Sequence, residues 1–485
     1  MARNNLYRYY QPEKILSAAD PQLNDSNPSV GDVELAFANV ATKGEYLGAW
    51  DGGLIPWPRY TANIDNSFGR GNHFQGIQRL QTQNYLVISG GDPHEACSHL
   101  FIVRMGSRIG AGGWRSNLIA TGRPFDADEV VGVIGIDPLM WHAGGISTCG
   151  DILAVPIYGV DENEKMQCRI VFYDFSKPES PGQFDFFIDR PGMKAGAVAI
   201  TKLQNGHFLA AVWSDSDSLP TRLDFYLSRS NNFFEGFNPQ ATTWYASQVR
   251  ASNGNGSSFD HFQNINFINR RDGRLFLVGM HNTSTLAPTL WGNDFADLYE
   301  IDFPGGHPFK SNPELEVPTV TKLAKKQFYS NVLQSNMDAA AGVYVDADGV
   351  LRVYSAYHWR SDGVIRFNEY RPVPDFVRTQ IANVNDAWID LYEHHDFSGR
   401  CLSFVGTDHV DFANYSRISV HGATFDDRVS SARFQLPAGR TYRLFEDRDY
   451  RGQHIDLIGN GGVKEINDFK TLDFGDKVSS SRYLV

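Results

Sequence analysis

Histidine recurs at one position of an internal repeat, and this residue type at this spacing is able to carry acid–base chemistry. His73, His142 and His261 each stand about twelve residues before a hairpin turn, and Lys194 takes the same position in another copy. The chain holds only 14 histidines. Because an imidazole titrates near neutral pH, it serves as a general acid, a general base or a metal ligand. The repeat therefore indicates one candidate site built from several copies.

The repeated element is a β-hairpin, two apolar runs joined by a turn that contains glycine. Three copies have an Asn-Gly or Asp-Gly turn in which glycine is able to adopt a positive φ; these turns lie at residues 204–206, 271–273 and 347–349. Two further copies, at residues 73–90 and 142–158, have altered turns, and a weaker sixth copy spans residues 32–50. A third predicted strand follows each of the three intact hairpins.

Units of this kind, repeated every 41 to 76 residues, favour a β-propeller. One small twisted sheet is unable to bury both of its faces, so several sheets pack around an axis. We predict an all-β fold, with a propeller of five or six blades over residues 1–380; a solenoid or an irregular sandwich is the alternative. Innermost strands line the channel, so the repeat position should converge there, with Asp32 and Met337 at that position in the remaining copies.

The converging side chains allow three interpretations. His73, His142, Lys194 and His261 could act as acids, bases or anion contacts in a lyase, hydrolase or cyclase-type reaction. The histidines could instead hold a transition metal, which Lys194 disfavours. Alternatively, each histidine ties down the first strand of its own blade by hydrogen bonding, with no substrate involved.

The last hundred residues contain a duplication of a different kind. Residues 392–399 and 445–452 share the pattern aromatic, four residues, aromatic, one residue, glycine. About 25 to 30 residues later, residues 426–431 and 475–480 each combine an aspartate with a pair of serines. Carboxylate and hydroxyl oxygens are ligands that Ca²⁺ prefers.

Residues 386–485 resemble the βγ-crystallin family, in particular its microbial calcium-binding members. The resemblance implies two paired Greek keys and up to two Ca²⁺ ions, each taking ligands from both loops. The ligands that it implies are Asp426, Asp427, Ser430, Asp476 and Ser479. Gly475 stands where the family pattern has Asn or Asp, which puts full affinity at the second loop in doubt. The alternative is that the loops cap the Greek keys without binding metal.

Composition excludes other classes of function. The chain has 44 Lys and Arg against 56 Asp and Glu, a net charge of −12, which argues against a nucleic-acid-wrapping surface. It has no run of about 18 apolar residues and no apolar stretch typical of a signal peptide. Four cysteines without metal spacing predict buried thiols. We expect a cytoplasmic protein, with a secreted mature form as the alternative.

Together these patterns predict a calcium-binding, two-domain protein whose propeller channel binds and transforms a small organic molecule or glycan. Two alternatives stay open at this point. One is a lectin-like or toxin-like binding protein without catalysis, and the other is a structural or stress protein that binds calcium.

Overall fold

The computed structural model describes two compact units, one mostly within residues 1–370 and the other mostly within residues 371–485. The predicted domain boundaries, at residues 380 and 386, lie outside the described residues. The described residues are 14–15, 23–42, 44–50, 73–81, 83–92, 97–105, 128–137, 139–160, 165–216, 219–251, 259–282, 294–303, 318–328, 336–347, 349–358, 364–372, 388–396, 398–405, 414–417, 419–420 and 423–484.

Among the described residues, the N-terminal unit consists of three sheets and one closed eight-stranded barrel. We number the three sheets II to IV and treat the two antiparallel four-stranded halves of the barrel as sheets I and V. Sheet I contains β3 (His73–Arg79), β4 (Tyr85–Asp92), β5 (Cys97–Arg104) and β6 (Asp128–Gly135). Sheet II contains β7 (His142–Ala143), β8 (Ser147–Cys149), β9 (Ile152–Val160), β10 (Met166–Asp174) and β11 (Gly182–Asp189), with β1 (Lys14–Ile15) in parallel on its outer edge. Sheet III contains β12 (Ala197–Lys202), β13 (Phe208–Ser216), β14 (Leu219–Leu227) and β15 (Thr242–Tyr245).

Sheet IV contains β17 (Asn264–Asn269), β18 (Leu275–Asn282), β19 (Asp294–Asp302) and β20 (Thr319–Phe328), with β16 (Arg250–Ala251) on its outer edge. Sheet V contains β21 (Ala340–Val345), β22 (Leu351–Ala356), β23 (Val364–Tyr370) and, as its outer strand, β2 (Glu45–Trp50). The unit also contains the helix α1 (Val33–Asn39) and two 3-10 helices, Phe233–Glu235 and Ala246–Gln248.

The all-β prediction is confirmed, since α1 is the one α-helix among the described residues and is seven residues long. No described helix has the length and apolar character needed to span a bilayer. Sheets V and I are not separate from each other. Parallel pairs between β21 and β3, and between β2 and β6, join sheets V and I into a closed eight-stranded barrel.

The inner strands of the five sheets meet at one level of small residues, which we call the inner crossing. Its members are Gly76, Gly145, Ala197, Asn264 and Ala341. Ala341 is the parallel partner of Gly76, and Gly145 forms a parallel bridge with Ala197. The Asn264 amide closes the level by donating to the carbonyls of Ile146, at 3.1 Å, and of Ala341.

Apolar side chains fill the spaces between consecutive sheets. One cluster, which includes Ile170, Phe172 and Val198, lies between sheets II and III, and another, which includes Trp213 and Leu277, lies between sheets III and IV. Sheet III is therefore apolar on both faces, as the predicted packing of several sheets requires.

The hairpin turns agree with the sequence, and one predicted strand does not. Gly206, Gly273 and Gly349 all have positive φ, at 89°, 89° and 79°. Asp32, in contrast, does not begin an inner strand. Its carboxylate accepts a hydrogen bond from the backbone N–H of Leu35 at 3.0 Å and caps α1, so the weak sixth copy is not a sixth sheet.

The C-terminal unit has two sheets, VI and VII, and a small hairpin. Sheet VI contains β24 (Trp388–His394), β25 (Ser398–Val405), β28 (Ser431–Gln435) and β31 (Val463–Ile466). Sheet VII contains β29 (Thr441–Asp447), β30 (Arg451–Ile458) and β32 (Ser480–Leu484). The remaining elements are the hairpin strands β26 (Ser419–Val420) and β27 (Ala423–Thr424), and the 3-10 helices Tyr415–Arg417, Arg448–Tyr450 and Phe469–Leu472.

Strand β31 belongs to the second half of this duplication but pairs with β28 of the first half. Such an exchange ties the two halves into one core, which includes Leu391, Phe434, Tyr442 and Leu457. In the second half, the aromatic pair Phe445 and Tyr450 meets edge to face with ring centroids 5.8 Å apart. The matching Phe397 lies outside the described residues.

Substituting Gly145 should destabilise the N-terminal unit, because a Cβ at this position would lie 2.4 Å from the Gln263 carbonyl oxygen and 2.8 Å from Asn264 Cα. For Gly145→Ala we expect a loss of about 1–3 kcal/mol in the free energy of unfolding, measured by denaturant titration. Gly31→Ala is the matched control, because nothing lies within 4 Å of a Cβ there. Equal stability of the two variants would contradict the close crossing.

Candidate functional site

The inner crossing fixes which side chains enter the site. Three residues before each crossing residue stand His73, His142, Lys194, His261 and Asp338. The first four are the residues that the repeat predicted. The fifth differs from the prediction, since the pairing of Ala341 with Gly76 aligns Asp338, and not Met337, with His73. The Met337 side chain is fully buried.

Two of the predicted residues are in direct contact. The rings of His73 and His142 meet edge to face with centroids 5.3 Å apart. The ring of His358, which follows β22, has its centroid 6.4 Å from that of His73. Tyr158 of β9 stacks on His142 at 4.3 Å and fixes the plane of its ring. We call these four residues the histidine pocket.

Burial disfavours the charged form of two imidazoles of the histidine pocket, those of His142 and His358. Burial lowers the pKa of His142 well below its usual value, and positive charge on His73 and Lys194 acts in the same direction. Burial and His73 likewise lower the pKa of His358, to about 3. The Nδ1 atom of His142 is buried and has no hydrogen-bond partner in the described part of the chain. A neutral imidazole with an uncommitted nitrogen is able to accept a proton or a ligand hydrogen bond.

The other two predicted residues occupy different surroundings. Lys194 precedes sheet III and is half-buried, and its backbone carbonyl is held by the Arg190 guanidinium at 3.2 Å and the Ser214 hydroxyl at 3.0 Å. His261 is exposed. The structure therefore brings His73 and His142 together, with Lys194 near enough for its charge to act on His142.

Asp338 is the acidic member that the sequence did not reveal. Its Oδ1 accepts a hydrogen bond from Gln263 Nε2 at 3.2 Å. Burial and the Asp294 carboxylate raise the pKa of Asp338, and the bond from Gln263 opposes this shift. Asp294 itself is buried and accepts from Asn282 Nδ2 at 2.9 Å and from the Met337 N–H at 3.0 Å.

In the C-terminal unit, residues 426–431 and 475–480, which we call the acidic loops, are cross-linked by reciprocal hydrogen bonds. Ser430 Oγ donates to Asp476 Oδ1 at 2.6 Å, and Ser479 Oγ donates to Asp427 Oδ1 at 2.9 Å. The backbone repeats this symmetry, because Asp427 N–H donates to the Val478 carbonyl and Asp476 N–H donates to the Val429 carbonyl.

The oxygen atoms of the acidic loops fit a hard cation. Asp427 and Asp476 both adopt left-handed backbone conformations, with φ of 52° and 56°, which presents each carboxylate beside the serine of the other loop. Asp426 Oδ1 is buried and lacks a hydrogen-bond partner among the described residues, while its Oδ2 accepts from Arg448 at 2.6 Å. Gly475 provides no side-chain oxygen at the matching position.

Comparison with known proteins finds similarity at the level of structure alone. No family model matches the chain, and no curated protein matches it. A βγ-crystallin domain from Flavobacterium johnsoniae is 22% identical over 20% of this chain and 93% of its own, with a TM-score of 0.15. A GH43_1 enzyme from Xanthomonas citri complexed with xylose is 9% identical over 64% of this chain and 92% of its own, with a TM-score of 0.36. An endo-arabinase from Bacteroides thetaiotaomicron is 9% identical over 63% and 99%, with a TM-score of 0.37.

The environment of His142 generates a direct prediction about its titration. In imidazole ¹⁵N spectra recorded from about pH 4 to about pH 8, we expect His142 to stay neutral far below the usual midpoint near 6.5. Lys194→Met should raise that midpoint, because it removes a positive charge that disfavours the imidazolium. A midpoint unchanged by this substitution would place the ammonium too far away to act on the ring.

Proposed function

We propose that the N-terminal unit is a five-bladed β-propeller with an acid–base site at the mouth of its channel, where it binds and transforms a small organic molecule or glycan. Each of sheets I to V would form one blade, and β2 would close the ring by completing sheet V. The inner crossing supports this interpretation, since it links the inner strands of all five sheets at one level.

The observation that carries the proposal is the presence of a neutral imidazole and a partly buried carboxyl group at one register position. His142 is held neutral with a free Nδ1, which suits a general base. Asp338 stands at the same position of another inner strand, and its raised pKa favours the protonated form of a general acid. Burial is the main cause of both shifts, because it disfavours the charged form of each group.

The proposed roles of the residues follow from which group takes up a proton and which group releases one. His142 Nδ1 takes a proton from a hydroxyl, a water molecule or an acidic carbon of the substrate, and Asp338 gives a proton to the departing oxygen. Lys194 supplies an ammonium group to an anionic or strongly polar part of the substrate. His73, whose ring lies near those of His142 and His358, forms the wall of the pocket and is placed to relay a proton.

Substituting the proposed base or the proposed acid should greatly reduce turnover without unfolding the chain. The assay incubates the full-length protein with a panel of neutral and uronate-containing oligosaccharides and detects products by mass spectrometry. For His142→Gln and Asp338→Asn we expect turnover to fall by about 10²–10⁴-fold. His207→Gln is the control, because His207 lies at the hairpin turn between β12 and β13, at the opposite end of β12 from Lys194.

The two pKa shifts determine the direction in which turnover should change with pH. The base form of His142 persists down to its lowered pKa, whereas the acid form of Asp338 is lost as pH rises through its raised pKa. Turnover should therefore decline on the alkaline side, and Asp338→Asn should remove that decline together with most of the rate. Binding without any product, at several equivalent sites, would contradict catalysis and favour the lectin-like alternative.

For the C-terminal unit we propose a βγ-crystallin domain that binds up to two Ca²⁺ ions at the acidic loops. Each ion would take the hydroxyl oxygen of one loop and the carboxylate of the other, which are already within hydrogen-bond distance. Asp426 would supply a further carboxylate to one site, in exchange for its bond to Arg448. Bound Ca²⁺ would then stabilise this fold by mass action, because the unfolded chain lacks the site.

Calcium should raise the melting temperature of the C-terminal unit, with a stabilisation of about 2.7 kcal/mol when free Ca²⁺ is 100 times the dissociation constant. Differential scanning calorimetry with and without chelator measures it. The double variant Asp427→Asn/Asp476→Asn should lose the response, since each substitution removes a carboxylate charge from one ion. Glu465→Gln, which alters an exposed pair with Arg433, is the control and should keep it. A double variant that responds like the parent chain would rule out this pair of loops.

A further inference from the structure

A second cluster of ligand-type side chains lies at sheet IV, and none of its members belongs to the histidine pocket. Asp260 precedes β17, His281 is near the end of β18, and Asp297 is within β19. One ligand atom from each of the three lies within 4.8 Å of the others. His281 Nε2 is 3.3 Å from Asp260 Oδ2 and 3.4 Å from Asp297 Oδ2. We call these three residues the Asp–His–Asp cluster.

Two buried atoms of this cluster, one in His281 and one in Asp297, have no hydrogen-bond partner among the described residues. His281 is 1% exposed, and Asp297 is fully buried. Within the described chain, neither His281 Nε2 nor Asp297 Oδ1 makes a hydrogen bond, although two carboxylate oxygens lie close to the imidazole nitrogen. A buried polar atom without a partner is costly, so both atoms point to a ligand that the side chains themselves do not supply.

The neighbouring residues hold the cluster in place. Phe295 stacks on the His281 ring at 5.6 Å, and Phe262 meets its edge at 5.9 Å. Lys322 Nζ donates to Asp297 Oδ2 at 2.6 Å, and the Tyr299 hydroxyl donates to the same oxygen at 3.3 Å. Outer contacts of this kind orient ligating carboxylates in metal sites. They leave the second oxygen, Oδ1, uncommitted.

We propose that Asp260, His281 and Asp297 form a binding site for a divalent transition-metal ion of the zinc type. Zinc binds imidazole nitrogen and carboxylate oxygen at about 2.0–2.2 Å, so two ligand atoms of a tetrahedral site are about 3.3–3.5 Å apart. The separation of 3.3 Å between His281 Nε2 and Asp260 Oδ2 agrees with this edge length, and Asp297 would contribute its uncommitted Oδ1. Asp260 is one-third exposed, which opens a path to solvent and a fourth position for water.

The local charges determine which ion this site accepts. The ammonium groups of Lys322 and Lys325 lie 3.5 Å and 3.2 Å from Asp260 Oδ2, so they offset much of the carboxylate charge. A hard cation such as Ca²⁺, which relies on six to eight oxygen ligands, gains little here. An imidazole nitrogen adds affinity for zinc and its neighbours that charge alone does not provide.

The test uses the full-length protein in calcium-containing buffer, so that the acidic loops are not free to take the added ion. Zn²⁺ is titrated by calorimetry, and Co²⁺ is added as a spectroscopic substitute that absorbs visible light when bound in a tetrahedral nitrogen and oxygen environment. We expect one saturable Zn²⁺ per chain and a visible Co²⁺ spectrum. Asp260→Asn, at a partly exposed position that should not prevent folding, should weaken Zn²⁺ binding more than tenfold.

Three further variants distinguish zinc bound at the Asp–His–Asp cluster from zinc bound elsewhere on the chain. Lys325→Met should strengthen Zn²⁺ binding several-fold, because it removes a repelling charge while leaving all three ligands. Asp272→Asn, at an exposed carboxylate of the same sheet, should leave binding unchanged. His142→Gln should leave it unchanged as well. Absence of saturable Zn²⁺ and Co²⁺ binding, equal binding by Asp260→Asn, or loss of binding in His142→Gln would each overturn the proposal.

Discussion

The close approach of the inner strands at Gly76, Gly145, Ala197, Asn264 and Ala341 is the constraint on which the N-terminal unit depends. A Cβ on Gly145 would lie 2.4 Å from a neighbouring carbonyl oxygen, so this position requires glycine for steric reasons. Asn264 has a different role at this level, because its side chain provides hydrogen-bond donors. Strands that meet at an angle leave carbonyl groups without ladder partners, and its amide satisfies two of them from different sheets.

Because the crossing is packed with small residues, larger side chains first find room three residues before it in each strand. The five residues at that level come from segments as far apart as His73 and Asp338, so no local segment carries the site alone. Burial then sets the protonation states. It lowers the pKa of His142 and raises the pKa of Asp338, because it disfavours the charged form of each group.

Local features of this fold are visible in the sequence, whereas features set by pairing between distant strands are not. The turns at Gly206 and Gly273 are predictable, because an Asx-Gly pair between apolar runs has few other conformations open to it. Asp338 is not, because its place depends on the register of β21 against β3, where a shift of one residue exchanges it with Met337. The helix at residues 33–39 was not predicted either, although Asp32 is a typical capping residue.

The C-terminal duplication is predictable from the sequence, because both halves repeat one spacing. The two halves differ at one position, where the first loop has Asp426 and the second has Gly475, and the packing around Gly475 bears on this difference. A Cβ on Gly475 would lie 2.5 Å from Lys470 Cγ and 3.2 Å from Lys470 N, in the 3-10 helix that precedes it. A side chain at the position that carries Asp426 in the first loop would therefore have to displace the Lys470 side chain in the second. Since Ser430 bonds to Asp476 and Ser479 bonds to Asp427, both halves still provide one hydroxyl and one carboxylate each. Loss of the extra oxygen at Gly475 thus makes the two proposed ion sites unequal without separating the loops.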